Sequence, residues 1–502
     1  MPVESNDLWN LPVPFGVDAS TGQLLRGLDE SCFAAFQQRE EQQAASPESA
    51  ALAAKAKDSA PKLGTSRDKV DDPNNLAETG WAVLFSSSAG EAIQKALEPL
   101  LDMRREQAGN LFKVLPYTDK CKDVYQWVQD YGVTLDQPVD PTKPVDPAKK
   151  DRIPYYVLIV APPDEISFEF QYSLDIQWAV GRIWFPTVEE FAQYADSVVR
   201  YEKKNEVSTS RQVAVFAPEH ELDRATQLFV THVAKPLVDP ADPIGKRRKF
   251  TVQPFLSDKA TRANLHRIWS GDIPNGAPSL VFTGSHGMSF PCGDDKQLDA
   301  QQAAQGAILC QDWEGYGRIE PEHYYAASNL PAQAKVHGMI HFFFACYGAG
   351  WPATDNFNRL GEELPISPKP MLARLPQALL AHPKGGALAV IGHVDRAWAY
   401  SFRSEEKVAQ IDSFRDAAAC LLRGDRVGNA MDQFNQRWSI LSSLLSELRG
   451  TWSMRAKPEF SFEDNKLARK IATQWIARDD ARNYIVFGDP AVRLDLTRIP
   501  EL

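Results

Sequence analysis

The sequence lacks a long apolar run. No stretch approaches the roughly 20 residues needed to span a bilayer, and the longest apolar segments, such as residues 155–162, have only strand length. A basic surplus is also missing. Lys and Arg total 55 against 66 Asp and Glu, a formal net charge of -11, which argues against a general nucleic-acid binder with its basic patch or stripe. The first residues, MPVESNDLWNLPVPFG, show neither a basic n-region nor an apolar h-region, so no secretory signal is expected. Cysteine is sparse, with six residues scattered without framework spacing. That usage predicts reduced thiols in a cytoplasmic protein and leaves a thiol free to do chemistry. No internal repeat of solenoid period is present, no pattern calls for a cofactor, and oligomeric state is left open.

What is present fits an ordinary globular chain, 43% apolar and 24% charged. Its 502 residues exceed what one hydrophobic core usually serves, so two or three lobes are expected. Residues 1–36 mix aromatics with Gly and Pro and suit a short hairpin or an arm packed on the body. Residues 37–75 are polar and Ala-rich, a flexible insert. Together they form a first region, 1–75. Strand-like runs at 81–85, 155–161, 212–217, 250–256, 279–283, 336–345, 387–392 and 483–487 alternate with helix-like stretches. Thr187 and Glu190 form a capping signature. The Pro- and charge-rich segment 136–151 reads as a surface loop. Alternation of this kind predicts an α/β fold with a mostly parallel, doubly wound sheet flanked by helices.

In open parallel sheets, chemistry gathers beyond the carboxyl ends of the strands. One strand here ends LVFTGSHG and places His286 just past it; another ends HFFFACYGAG and places Cys346 likewise. If the two strands are neighbours, imidazole and thiol meet at one edge. A histidine can take the thiol proton and return it to a leaving amine. Gly287 and Gly348 let the backbone turn tightly and approach a substrate, and the N–H groups of Gly287 and Cys346 are candidates for an oxyanion site. The bland alternatives are a buried Cys acting as a small hydrophobe and a surface His. A metal site from His337, His341 and Cys346 is disfavoured, because strand alternation puts the two histidines on one face and the cysteine on the other. No metal is therefore expected. Cys292 and Cys310 are rival thiols, but neither directly follows an apolar strand.

Ser285-His286-Gly287 followed by Ala345-Cys346-Tyr347-Gly348, His before Cys and 346 − 286 = 60 positions apart, resembles the caspase-like cysteine peptidases, and within them the gingipain-type branch. Residues 179–182 (AVGR) with 187–190 (TVEE), residues 387–399 (ALAVIGHVDRAWA) and residues 487–490 (FGDP) extend the resemblance over about 150–495. It implies a caspase-like fold with a smaller non-catalytic lobe at 76–205 and a catalytic lobe at 206–502. It also implies an endopeptidase acting on a protein substrate. By the same likeness Glu219 orients His286, Asp223 binds a P1 guanidinium and so favours Arg or Lys, and Trp398 lies over the S1 pocket. Arg396 beside Trp398 would instead favour an acidic P1. Asp223 read without the resemblance is a helix N-cap, and Glu219 a solvated charge. The chain departs from the gingipains in showing no signal peptide, which points to an intracellular, regulated enzyme, and the likeness to caspase-like enzymes implies a role in defence or cell death. The competing readings are a catalytically silent caspase-like protein-binding module and an acyl-transferring or ligating enzyme using the same dyad.

Overall fold

The computed structural model describes residues 13–25, 72–115, 117, 124, 127, 153–204, 206–290, 295–357, 365–403, 410–455 and 462–501. The insert expected within 37–75, apart from its last four residues, lies outside them, as do the loop at 136–151 and Cys292. The strands that position the site are β1 (Gly16–Asp18), β2 (Trp81–Phe85), β3 (Phe112–Leu115), β4 (Tyr156–Val160), β5 (Ala179–Ile183), β6 (Thr209–Ala217), β7 (Thr251–Leu256), β8 (Ala277–Gly284), β9 (Gly287–Ser289), β10 (Ile340–Phe344), β11 (Ala389–His393) and β12 (Tyr484–Gly488). The helices used below are α1 (Glu91–Ala108), α2 (Val188–Lys203), α3 (Arg224–Phe229), α4 (Asp432–Arg455) and α5 (Phe462–Arg482).

Ten of these strands form one sheet in the order β3-β2-β4-β5-β12-β11-β10-β8-β6-β7. Strands β3, β2, β4, β5 and β12 run parallel to one another, as do β11, β10, β8, β6 and β7. The halves meet antiparallel at β11 and β12, where Ala389 pairs with Gly488 and His393 with Tyr484. The mostly parallel α/β sheet flanked by helices is thus present, with one reversal at its seam. Strands β4 (YVLIV) and β10 (IHFFF) are buried at every residue, as expected for parallel strands covered on both faces. Among the described residues no helix is long and apolar enough to cross a membrane.

Local sequence explains several boundaries. Thr187 caps α2 by accepting from Glu190 N–H, and Asp223 caps α3 by accepting from Ala225 N–H. The strand expected at 336–345 begins only at Ile340. Met339 N–H turns back to Val336 O at 3.1 Å, and Gly338 takes φ +86°, which favours glycine. His337 therefore lies in a turn, 3.1 Å from Ser197 Oγ, and the face-alternation argument against a metal does not apply to it. His341 does sit in the strand, 2.8 Å from Thr283 Oγ1.

The FGDP segment ties β2 and α1 to the seam. Asp489 accepts from Arg104 Nε at 2.7 Å, Trp81 Nε1 at 3.0 Å and Ala491 N at 2.9 Å. Arg104 also makes a two-pronged pair with Glu202 at 2.7 and 2.6 Å, joining α1 to α2. Burial opposes the Arg104 charge, but Asp489 and Glu202 outweigh it and hold the guanidinium protonated. Cutting one member from such a buried network leaves an uncompensated charge.

Asp489→Ala is expected to destabilise the protein by about 3–5 kcal/mol; a wild-type midpoint in urea unfolding would contradict this. Burial pushes the His341 pKa down to about 3, so its neutral form supports the fold. That contribution is full above about pH 6.5, the unfolded value, and is lost as pH falls toward 3. His341→Gln should therefore flatten the fall of the melting temperature between pH 6.5 and 4 relative to wild type; identical pH slopes would remove His341 from the acid response.

Candidate active site

Strands β8 and β10 are direct parallel neighbours, with Gly284 opposite Phe344. Ser285 N–H extends the ladder to Phe344 O at 3.1 Å. His286 and Cys346 are each the second residue beyond that pair, so both emerge at the same edge. The two turns press together. A methyl group on Gly287 would fall 1.6 Å from the Cys346 carbonyl oxygen, an overlap that only glycine avoids. The left-handed residue after the thiol is Tyr347, at φ +55°, whereas Gly348 has no positive φ and lies close under the Phe343 ring. The turn is anchored by Tyr347 N–H to Asp395 O at 3.0 Å and Ala349 N–H to His393 O at 2.9 Å.

His286 Nε2 makes a short hydrogen bond to Asp223 Oδ2, with both side chains fully buried. The same carboxylate oxygen accepts from Thr226 Oγ1 at 3.0 Å, while Oδ1 caps α3 through Ala225 N–H at 3.0 Å. Burial opposes ionisation of Asp223, yet the charge and hydrogen bond of His286, with His220 nearby, hold its pKa well below the carboxylate range. Asp223 thus stays ionised. Nδ1 of His286 is buried with no hydrogen-bond partner among the described residues, leaving that nitrogen for a reacting group.

The carboxylate on His286 is therefore residue 223, and not Glu219. Glu219 accepts instead from Ser257 Oγ and stands 4.0 Å from Lys235 Nζ. Asp223, expected at the P1 side chain, is committed to the histidine and its own helix. Trp398 is fully buried; its indole lies 5.2 Å from Phe357 in a cluster with Trp475 and Leu445, and its backbone bridges Pro14. Arg396 is paired with Asp355. Two groups escaped the sequence reading. His220 stands 3.8 Å from Asp223 Oδ2 and packs edge-on to Trp313 at 5.2 Å; its one signal was its place three residues before Asp223.

The second is the Val13–Asp18 stretch, which lies across the cleft. Phe15 O accepts from both Gly287 N–H at 2.9 Å and Cys346 N–H at 3.0 Å. Cys346 Sγ accepts from Ala397 N–H at 3.2 Å. Burial pushes the thiol pKa well above its ordinary value, against lowering by the Ala397 N–H, so the sulfur rests as a neutral thiol. Cys310 is likewise buried and pushed up; its Sγ donates to Ile308 O at 3.3 Å, and His220 Nε2 meets its carbonyl oxygen at 3.3 Å rather than its sulfur. Among the described residues no group of three or more His, Cys, Asp or Glu is placed to hold a metal.

The model of peptidase family C25 matches residues 154–495. No curated protein matches the chain. Among solved structures, one described as a protease is similar at 14% identity and TM-score 0.47, covering 84% of this chain and 80% of that one. The Arg-specific cysteine proteinase gingipain R (RgpB) is similar at 13% identity and TM-score 0.41, over 85% and 80%. The complex of the Porphyromonas gingivalis RgpB pro- and mature domains is similar at 12% identity and TM-score 0.38, over 83% and 80%.

Asp223→Asn should remove the charge that holds the imidazole and lower the kcat for protein hydrolysis by about 10²- to 10⁴-fold, the range of acid–base assistance. The assay is casein hydrolysis at neutral pH, and an unchanged kcat would separate Asp223 from the site.

Proposed function

Since this chain belongs to peptidase family C25 and is a cysteine peptidase, we propose that Cys346 is its nucleophile, that His286 transfers the proton, and that the N–H groups of Gly287 and Cys346 stabilise the oxyanion. The observation that carries this reading is the convergence of two backbone donors on one carbonyl oxygen, 2.9 and 3.0 Å away, at the thiol. Donors at 2.7–3.1 Å are the spacing an oxyanion site needs.

The roles follow from the charges. The resting thiol is a weak nucleophile until it surrenders its proton. Nδ1 of His286 takes that proton, and the imidazolium is stabilised by the ionised Asp223 on Nε2. The sulfur adds to a peptide carbonyl, and negative charge develops on oxygen between the Gly287 and Cys346 N–H groups. His286 then hands the proton to the departing amine, and water releases the acyl group from sulfur. Asp223 acts through the histidine and is a positioning residue.

The intact dyad and its carboxylate disfavour the silent binding module. A basic P1 preference, which rested on Asp223, loses its support because that carboxylate is hydrogen-bonded to His286. An aminolysis outcome would use the same acyl-enzyme and differs only in the acceptor.

Cys346→Ala should abolish new N-termini when the protein is incubated with a lysate, and Cys346 should label with an acyloxymethyl ketone far faster than Cys420. Identical N-termini from wild type and Cys346→Ala, or equal labelling of the two thiols, would defeat the assignment.

A further inference from the structure

Residues 13–18 lie in the cleft in the manner of a bound substrate. Phe15 N–H donates to Ala397 O at 2.8 Å, and Ala399 N–H donates to Val13 O at 3.1 Å. Between them Pro14 bridges Trp398 antiparallel. Residues 13–15 thus add a short antiparallel strand to 397–399, so that main-chain pairing fixes their register. The Phe15 carbonyl then enters the oxyanion site. Beyond it, β1 pairs parallel with β9, Gly16 opposite Gly287 and Asp18 opposite Ser289. A methyl group placed on Gly16 would lie 2.9 Å from Cys346 Sγ. The peptide bond from Phe15 to Gly16 is therefore the one presented to the sulfur.

The Phe15 side chain identifies the pocket it fills. Its ring packs against Phe344 at 4.7 Å, Phe402 at 5.8 Å and Phe229 at 6.0 Å, and it is fully buried. None of these neighbours carries a charge, and Asp223 is spent on His286, Thr226 and its helix cap. Among the described residues the ring's neighbours, which also include His286 at 6.0 Å, offer no carboxylate to a guanidinium or ammonium placed here, and desolvation without a partner costs several kcal/mol.

We propose that the chain cuts itself between Phe15 and Gly16, and that the pocket so revealed takes large apolar P1 residues. This inference rests on the peptidase reading above. Cys346 Sγ bonds to the Phe15 carbonyl carbon while its proton passes to His286 Nδ1. The bond from that carbon to Gly16 nitrogen breaks, and His286 protonates the new amine. Water, taken from solvent, then splits the thioester, giving a carboxylate at Phe15 and returning the proton to sulfur. The amine product stays pinned. Asp18 N–H bonds to Gln23 O at 2.9 Å, Ala19 N–H to Ser289 O at 2.8 Å and Leu25 N–H to Gly16 O at 2.8 Å, and Val17 is buried with Met288 and Trp313. On the acid product, Val13 O and the Phe15 N–H and carbonyl oxygen carry the pairing to the cleft, so its departure would open the unprimed half and return water to the thiol.

The test uses full-length wild type, Cys346→Ala, Phe15→Leu and Phe15→Asp. Intact mass and N-terminal sequencing follow the chain itself, while fluorescein-casein and peptides ending in Phe- or Arg-aminomethylcoumarin follow cleavage in trans. The expected result is a new N-terminus GVDAST in wild type and Phe15→Leu and none in Cys346→Ala. Phe15→Asp should cut at least about 100-fold more slowly, because a carboxylate must enter the ring pocket. The Phe peptide should be cleaved in preference to the Arg peptide. An intact wild-type N-terminus in a preparation that hydrolyses casein would overturn self-cleavage and leave the peptidase reading standing. Preference for the Arg peptide, or Phe15→Asp cut as fast as wild type, would overturn the apolar pocket. Absence of casein hydrolysis and of Cys346 labelling in both wild type and Phe15→Asp would take the peptidase reading down as well.

Discussion

Everything at the site depends on the register between β8 and β10. Gly284 stands opposite Phe344, and a slip of one residue would turn either His286 or Cys346 to the other face. The packing behind the pair enforces this alignment. Phe282 stacks on Phe342 at 4.8 Å, and Phe229 of α3 stacks on Phe344 at 5.2 Å. Gly284 is glycine because a methyl group there would run into the Phe229 ring at 2.0 Å. The helix that presses on the strand ends is the one capped by Asp223. One short segment thus supplies the packing that sets the register and the carboxylate that orients the histidine.

The charges at this edge have a definite order. Asp223 is ionised and buried, Cys346 is neutral and buried, and the histidine sits between a fixed anion on Nε2 and an unbonded Nδ1. The unbonded Nδ1 is placed to take the thiol proton, and the anion fixed on Nε2 balances the charge that this transfer creates. Burial is the leading influence raising the thiol, and part of that burial is the chain's own residues 15 and 16. Seating the segment excludes water from the sulfur, so occupancy of the cleft and access to the thiol are coupled.

Much of this was legible in the sequence, because periodicity and glycine-flanked strand ends are local signals. LVFTGSHG and HFFFACYGAG place His286 and Cys346 from the strand ends alone, and Thr187 and Asp223 are readable as caps. What local signals do not carry is which carboxylate faces the imidazole. Glu219 and Asp223 are four residues apart on a loop feeding a helix, and only the turn through His220 decides that Asp223 points inward while Glu219 bonds Ser257. The reversal at β11 and β12 is equally hidden, since NYIVF reads the same in a parallel or an antiparallel pairing. Residues 13–18 showed only an aromatic, proline and glycine mixture fit for an arm. Their place across the cleft is set by pairing with 287–289 and 397–399, a partnership of residues more than 250 positions away that no local pattern encodes.

The tether gives the segment an advantage no free substrate has. A sequence held at its own cleft acts at an effective concentration on the order of millimolar, and here one flank is fixed by β1 and the turn through Gln23. Its hydrogen bonds satisfy the groups that a competing peptide would use: Ala397 O, Ala399 N–H, and the two oxyanion donors. A protein substrate must therefore displace four backbone hydrogen bonds and a buried phenyl ring before it reaches the thiol. The same four residues, Val13 to Gly16, also record what the cleft accepts: an extended stretch through Pro14, whose fixed φ suits a β-edge, a large apolar side chain in the ring pocket, and a residue without Cβ where sulfur approaches. Occlusion and specificity are then one structural fact, since the groups that block the site do so by matching it.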